Sequence, residues 1–140
     1  MSFVLDTNII SELEGRKYSE RLLHWLNSFD RADLYLTTIS VAEIHYGLAL
    51  LPEGKRREAL MQDYLRLEEA FSGRIIPFTL AAARRYGALR AAREKRGRRM
   101  ETKDAMIAAI CLVHGATLAT RNTKDFEGLD LKLVNPFEDG

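Results

Sequence analysis

The chain begins with a short apolar run that ends at a carboxylate. Phe3–Leu5 is followed directly by Asp6 and then by two small polar residues, Thr7 and Asn8. A short, continuous apolar run is typical of a strand that is buried on both faces of a parallel sheet. In proteins of this kind, functional side chains lie at the carboxyl edge of the strands. The pattern therefore predicts an α/β fold with Asp6 at that edge.

Strand-like and helix-like segments alternate along the chain. Strands are predicted over residues 3–5, 34–37, 75–78, 117–120 and 132–134. Helical spacing of apolar residues occurs over residues 19–29, 41–51 and 57–71. Thr79 and Thr102 are predicted N-caps of two further helices, which end near Lys95 and at His114. This alternation favours a mostly parallel sheet between helices, whose right-handed crossovers bring the strand-to-helix loops to one edge.

The composition predicts a single globular domain over residues 1–140. Hydrophobic residues make up 46% of the chain and charged residues 29%, with a formal net charge of +1. One cysteine, Cys111, cannot form an internal disulfide, which favours a reducing compartment such as the cytoplasm. The first apolar run is interrupted too early for a secretory signal, and the longest apolar stretch is too short for a membrane span. We therefore expect a cytoplasmic protein with no membrane partner.

Four acidic residues occupy equivalent places in this pattern. Asp6, Glu43, Asp104 and Asp125 each lie just past a predicted strand or in the first turn of a predicted helix. Carboxylates that meet at one edge repel each other, and a divalent cation relieves that repulsion. Ligation by oxygen alone suits Mg²⁺ or Mn²⁺, ions that serve phosphoryl chemistry. The arrangement predicts a metal site that acts on a phosphodiester.

Each acid also has a purely structural interpretation. Asp6 resembles a turn or cap residue, and Asp104 suits the positive end of a helix dipole. Ser40 and Glu43 have the spacing of a capping box, in which the glutamate binds the N–H group of the cap residue. Asp125 is compatible with a plain loop aspartate. The joint position of the four acids favours the functional interpretation.

A basic strip runs from Arg84 to Lys103. It contains nine basic residues against two acids, Glu94 and Glu101, although the whole chain is nearly neutral. A local strip of this kind is typical of a surface that binds phosphates, and Arg96, Arg98 and Arg99 are its candidate phosphate contacts. The alternative is a solvated helix face without a ligand.

The motifs resemble PIN-domain ribonucleases, specifically the FitB-like branch of the VapC-type toxins of bacterial toxin–antitoxin pairs. The similarity covers almost the whole chain and includes residues 5–12, 38–47, 104–109, 119–126 and 134–137. Each segment is a weak pattern alone, but their order and spacing are specific. Residues 100–103 depart from the family pattern, because many relatives carry Pro or Ile before the third acid. Glu101 there either adds a negative charge to the pocket or points to solvent.

The resemblance implies an acidic pocket in which Asp6, Asp104 and Asp125 bind Mg²⁺ or Mn²⁺, with Glu43 as the fourth catalytic acid. Accessory polar positions of that pocket match Thr7, Asn8, Thr120 and Asn122. The implied fold is a three-layer sandwich with a five-stranded parallel sheet, in a protein that is usually a homodimer. The implied activity is RNA cleavage, and the implied partner is a small antitoxin with a DNA-binding domain.

Three other functions are compatible with parts of this pattern. A PIN scaffold that binds RNA without cutting it, or a housekeeping RNA-processing nuclease, would share the fold. A signalling receiver-like module also has an acidic Mg²⁺ pocket, but it usually shows adjacent acids after the first strand. Here the first strand is followed by Asp6, Thr7 and Asn8. The sequence therefore favours the nuclease.

Overall fold

The computed structural model describes residues 1–13 and 19–138. The strands are β1 (Phe3–Leu5), β2 (Leu34–Thr37), β3 (Ile75–Ile76), β4 (Thr117–Ala119) and β5 (Leu133–Val134). The helices are α1 (Thr7–Leu13), α2 (Glu20–Asn27), α3 (Thr38–Leu50), α4 (Lys55–Ala70), α5 (Leu80–Lys95) and α6 (Thr102–His114). Two short 3₁₀ turns cover Arg31–Asp33 and Thr123–Phe126.

The five strands form one parallel sheet in the order β3-β2-β1-β4-β5. Side chains alternate across it, so that Phe3 and Leu5 pack with Trp25 of α2 in one core cluster. Val4, between them in sequence, packs in a second cluster with Ile107 of α6. The sheet therefore separates two apolar layers covered by helices, which confirms the predicted α/β fold and places the ends of β1, β2 and β4 side by side.

Several element boundaries differ from those predicted. Helix α3 begins at Thr38 rather than at residue 41, because Thr37 is its N-cap and accepts a hydrogen bond from the Ser40 N–H group at 3.2 Å. Ser40 is therefore inside the helix, and the capping box predicted for Ser40 and Glu43 is wrong. Strand β3 ends at Ile76, since Pro77 lacks the N–H group that would continue a ladder.

The predicted helix caps have mixed outcomes. Thr79 does cap α5, with its hydroxyl accepting the Ala82 N–H group at 3.2 Å. Thr102 is not the cap of α6, because Glu101 is the N-cap residue and the Thr102 hydroxyl accepts from Arg90 instead. Helix α6 ends as predicted at His114, and its C-cap Gly115 has a φ of 63°, a left-handed conformation that glycine adopts without strain. Among the described helices, none combines the length and the apolar character that crossing a membrane requires.

Candidate active site

Asp6 lies at the carboxyl end of β1 and is 6% exposed. Its Oδ1 accepts the backbone N–H group of Thr7 at 2.8 Å, and its Oδ2 accepts the hydroxyl of Thr120 at 2.8 Å. Burial raises the pKa of Asp6 above its ordinary value, while these two hydrogen bonds act in the opposite direction. The chain thus holds a partly compensated carboxylate at the edge of the sheet.

Glu43 projects from α3 towards the same edge. The Thr7 hydroxyl donates to Glu43 Oε1 at 2.9 Å, and Lys103 Nζ lies 3.0 Å from Oε2. This contact with Glu43 raises the pKa of Lys103. Both oxygens of Glu43 therefore bind side chains from other helices, rather than the backbone at the start of its own helix.

Asp104 stands in the first turn of α6 and is partly buried. Burial raises its pKa to about 6, and the negative charges of Asp6, Glu101 and Asp125 add to the effect. Asp104 is therefore close enough to these three carboxylates for their negative charge to disfavour its ionised form. Glu101 also lines the acidic cavity and so adds negative charge there, although its side chain is 72% exposed to solvent.

Asp125 reaches the site from the 3₁₀ turn Thr123–Phe126 and is exposed. Two contacts fix the backbone around it. Phe126 is buried in the core, and the Nη1 of Arg93 donates to the Glu127 carbonyl at 2.8 Å and to the Asp125 carbonyl at 3.4 Å. These buried contacts hold the backbone of the turn in place, while the side chain of Asp125 is exposed.

One open cavity of about 530 Å³ joins these side chains. Its lining includes all four predicted acids, Asp6, Glu43, Asp104 and Asp125, together with Thr7, Asn8, Asn122, Glu101, Lys103 and Arg121. Thr120 is buried and does not line the cavity itself, but its hydroxyl donates to Asp6, which does. The structure thus brings the predicted acids and polar residues into a single place.

This architecture is that of a known family. The sequence model of the PIN domain matches residues 3–131. The chain belongs to the PIN domain family. The VapC ribonuclease Y4jK of Sinorhizobium fredii is 42% identical over 137 residues, which cover 96% of this chain and 97% of the relative.

Solved structures agree with this membership. The crystal structure of FitAcB from Neisseria gonorrhoeae superposes with a TM-score of 0.91 at 36% identity, covering 97% of this PIN-domain chain and 99% of the other. A toxin–antitoxin complex from Klebsiella pneumoniae gives a TM-score of 0.71 at 29% identity, with coverage of 98% and 99%. The resemblance predicted from the motifs is therefore confirmed.

The donor chemistry of this PIN-domain cavity fits a divalent cation, although its side chains are not gathered into a coordination sphere. Carboxylate oxygens are ligands that Mg²⁺ and Mn²⁺ prefer. Burial first, and then the negative charges of Asp6, Glu101 and Asp125, raise the pKa of Asp104, and a cation would offset both effects. Within residues 1–13 and 19–138, no three His, Cys, Asp or Glu side chains converge closely enough to hold an ion as they stand. The cavity therefore fits a divalent cation by the chemistry of its donors.

The basic strip divides between two surfaces. Arg98 and Arg99 line a second cavity of about 300 Å³, together with Arg93 and Lys124, and this cavity shares Glu101, Asp104 and Asp125 with the acidic side. Arg96 instead lies 3.5 Å from the Gly128 carbonyl and lines a different cavity with Arg85. Of the three predicted phosphate contacts, two flank the acids and Arg96 does not.

Sequence patterns did not single out Glu12, Arg121 or Lys124. Arg121 lies two residues past the end of β4, whereas Asp6 follows directly on the last residue of β1, so Arg121 does not show the same strand-end signal. Arg121 Nη2 lies 3.6 Å from Oε1 of Glu12, and both residues line the acidic cavity.

Proposed function

We propose that this PIN-domain protein is a metal-dependent endoribonuclease that hydrolyses RNA phosphodiester bonds and acts as the toxin of a type II toxin–antitoxin pair. The observation that carries the proposal is that Asp6, Glu43, Asp104 and Asp125 line one open cavity at the carboxyl edge of the sheet. A VapC ribonuclease 42% identical to the chain supports RNA as the substrate. In this proposal, residues 1–140 form one domain.

Asp6, Asp104 and Asp125 are the residues that we assign to the metal, Mg²⁺ or Mn²⁺. When bound, such an ion neutralises phosphodiester charge and makes water a better nucleophile. The chain itself holds Asp6 ready for this role, through the Thr7 N–H group and the Thr120 hydroxyl. These donors favour the ionised carboxylate that a cation requires.

Glu43 and the amide side chains complete the proposed chemistry. Glu43 lies on the wall formed by α3, and we assign it the orientation of the attacking water. Asn8 bridges the cavity floor, since its Nδ2 donates to Thr120 Oγ1 at 3.3 Å and its Oδ1 accepts the Arg121 N–H group at 3.2 Å. Asn122 also lines the cavity, and its amide can bind a phosphate oxygen.

RNA is proposed to approach over the basic side of the site. Arg98, Arg99 and Lys124 lie next to Asp104 and Asp125 in the second cavity. A phosphate neighbouring the scissile one can bind there, because arginine and lysine neutralise backbone phosphates without reading sequence. The basic strip thus contributes affinity for RNA, chiefly through Arg98 and Arg99.

The proposed partner is a small antitoxin with a DNA-binding domain. Tyr46 and Leu50 of α3 are each 67% exposed, and Leu65 of α4 is 43% exposed, so these helices present apolar surface that the core does not cover. Tyr64, by contrast, packs against the core. The exposed residues suit the apolar face of an antitoxin segment. The toxin is proposed to be a cytoplasmic homodimer.

The test of this function uses RNA, Mn²⁺ and a chelator. Purified protein is expected to cut RNA in Mn²⁺ and to stop when EDTA is added. RNA that is bound but stays intact would favour the scaffold alternative.

Induced expression separates the toxin from a housekeeping nuclease. Growth is expected to stop when the protein is produced alone and to continue when the product of the neighbouring antitoxin gene is produced with it. Cleavage without growth arrest, and without a copurifying partner, would favour a role in RNA processing.

A further inference from the structure

Lys103 brings a positive charge to the Glu43 side of the acidic cavity. Its Nζ lies 3.0 Å from Glu43 Oε2 and 3.8 Å from Glu101 Oε2. The residue stands in the first turn of α6, where the helix dipole favours negative side chains over positive ones. The acids of the cavity, and not the helix that carries it, therefore stabilise this ammonium group.

Glu43 has both of its oxygens occupied by the chain. Thr7 donates to Oε1 at 2.9 Å, while Lys103 meets Oε2. The side chain of Glu43 is 22% exposed, so an uncompensated charge there would be poorly solvated. Lys103 supplies the compensation directly.

The influence of Lys103 extends to the other wall of the cavity. Its charge lowers the pKa of both Asp6 and Asp104, against the burial and carboxylate repulsion that raise them. One lysine thus neutralises part of the same field that a divalent cation would neutralise.

We propose that the Lys103 ammonium group takes the place of a second divalent cation at the Glu43 side of the cavity. The first cation is that of the proposed function, on which this inference rests, and it is assigned to the side of Asp6 and Asp104. Glu43 keeps Lys103 as its counter-ion. The cavity therefore accepts a single divalent ion, and Lys103 is the group that excludes another.

The test is the number of Mn²⁺ ions bound by the full chain, measured by isothermal titration calorimetry. The wild type and Lys103→Arg are expected to bind a single ion, because both keep the positive charge. Lys103→Met is expected to bind a second ion. Lys95→Met, which removes an exposed lysine at the end of α5, is the matched control and should behave as the wild type.

A second variant locates the additional ion. Adding Glu43→Gln to Lys103→Met should remove the second ion and leave the first, because the amide no longer attracts a cation. Lys103 is 50% exposed, so Lys103→Met should fold, and circular dichroism checks this. Two ions bound by the wild type, or a single ion still bound by folded Lys103→Met, would overturn the proposed role of Lys103 but not the metal site of the proposed function. No Mn²⁺ bound by any variant would overturn the metal site of the proposed function as well.

Discussion

The hydroxyl of Thr120 donates a hydrogen bond of 2.8 Å to Oδ2 of Asp6, although the two residues are 114 positions apart in the chain. They meet because β4 and β1 are neighbours in the parallel sheet and end at the same edge. The same hydroxyl oxygen accepts from the Asn122 N–H group at 3.1 Å and from Asn8 Nδ2 at 3.3 Å. A single buried side chain thus joins both loops of the site to the carboxylate.

Replacing Thr120 by Val keeps the shape of the side chain and removes its hydroxyl. The ionised form of Asp6 loses a donor, so its pKa should rise further and Mn²⁺ affinity should fall about tenfold, the effect of roughly 1.4 kcal/mol at one carboxylate. Calorimetric titration measures this change. Thr117→Val, at the other end of β4, is the control. An unchanged affinity would contradict the role of Asp6 as a ligand.

Asp6→Asn and Asp104→Asn should each abolish RNA cleavage while the protein stays folded. Each change removes a proposed metal ligand and also a negative charge from a crowded cavity, so stability should be unchanged or slightly higher. Gel assays with Mn²⁺ and thermal melts measure the two effects. Asp130→Asn, on an exposed loop, should leave both unaffected. Full cleavage by folded Asp6→Asn would remove Asp6 from the mechanism.

The stability of the metal-free protein should depend on pH through Asp104. Its pKa of about 6 exceeds the ordinary value of 3.8, so between these values the folded chain keeps a proton that the unfolded chain has lost. Stability therefore falls as the pH rises through this window, and the loss is complete above about pH 6. Asp104 is partly exposed and its charge is screened, so we expect about 1 kcal/mol.

Thermal melts of the wild type and of Asp104→Asn from pH 4 to pH 8, as an approximate range, measure this difference. The stability of Asp104→Asn relative to the wild type should increase between about pH 4 and 6, and the difference should stay constant at higher pH. Parallel curves over the whole range would show that Asp104 titrates normally in the folded chain.

Replacing Arg96, Arg98 and Arg99 together by Ser should weaken RNA binding and flatten its dependence on salt. Each lost phosphate contact should reduce the slope for single-stranded RNA by about 0.7. Most of the change should come from Arg98 and Arg99, which border the acids. Binding titrations at several salt concentrations measure the slope. The pair Arg84→Ser and Arg85→Ser, earlier in α5, is the control, and equal slopes in both variants would mark the strip as solvated surface.

Arg93→Met should destabilise the protein and weaken Mn²⁺ binding together. Arg93 is 4% exposed, and its Nη1 binds the Asp125 and Glu127 carbonyl groups. Loss of these bonds leaves carbonyl groups without a donor and should cost about 2 kcal/mol. Urea denaturation and Mn²⁺ titration measure both effects. A variant that loses stability with unchanged Mn²⁺ affinity would show that the turn does not position Asp125 for the metal.

The sequence predicted the sheet and the acids for one physical reason. Buried parallel strands must be apolar, so the runs before Asp6 and Thr38 are visible, and the loops that follow them are brought to one edge by the crossovers. The N-cap residue of α3 is harder to predict from the sequence. Thr37, Thr38 and Ser40 all suit an N-cap position, and the buried end of β2 selects Thr37.

Contacts between distant helices could not be predicted in this way. The meeting of Lys103 with Glu43 depends on how α6 crosses α3, which local spacing does not determine. Arg93 was counted within an exposed strip, because the pattern of charge along α5 does not reveal that this one arginine turns inward. Such residues become visible only once the helices are packed.

Because Arg93 binds carbonyl oxygens, it fixes the path of the loop without constraining which side chains the loop carries. Every residue type presents the same carbonyl group, so Thr123 and Lys124 can change while Asp125 keeps its place. Lys124 lines the basic cavity beside the acids. Related enzymes could therefore evolve a preference for different RNAs by substitution in this short turn, without rebuilding the catalytic edge of the sheet.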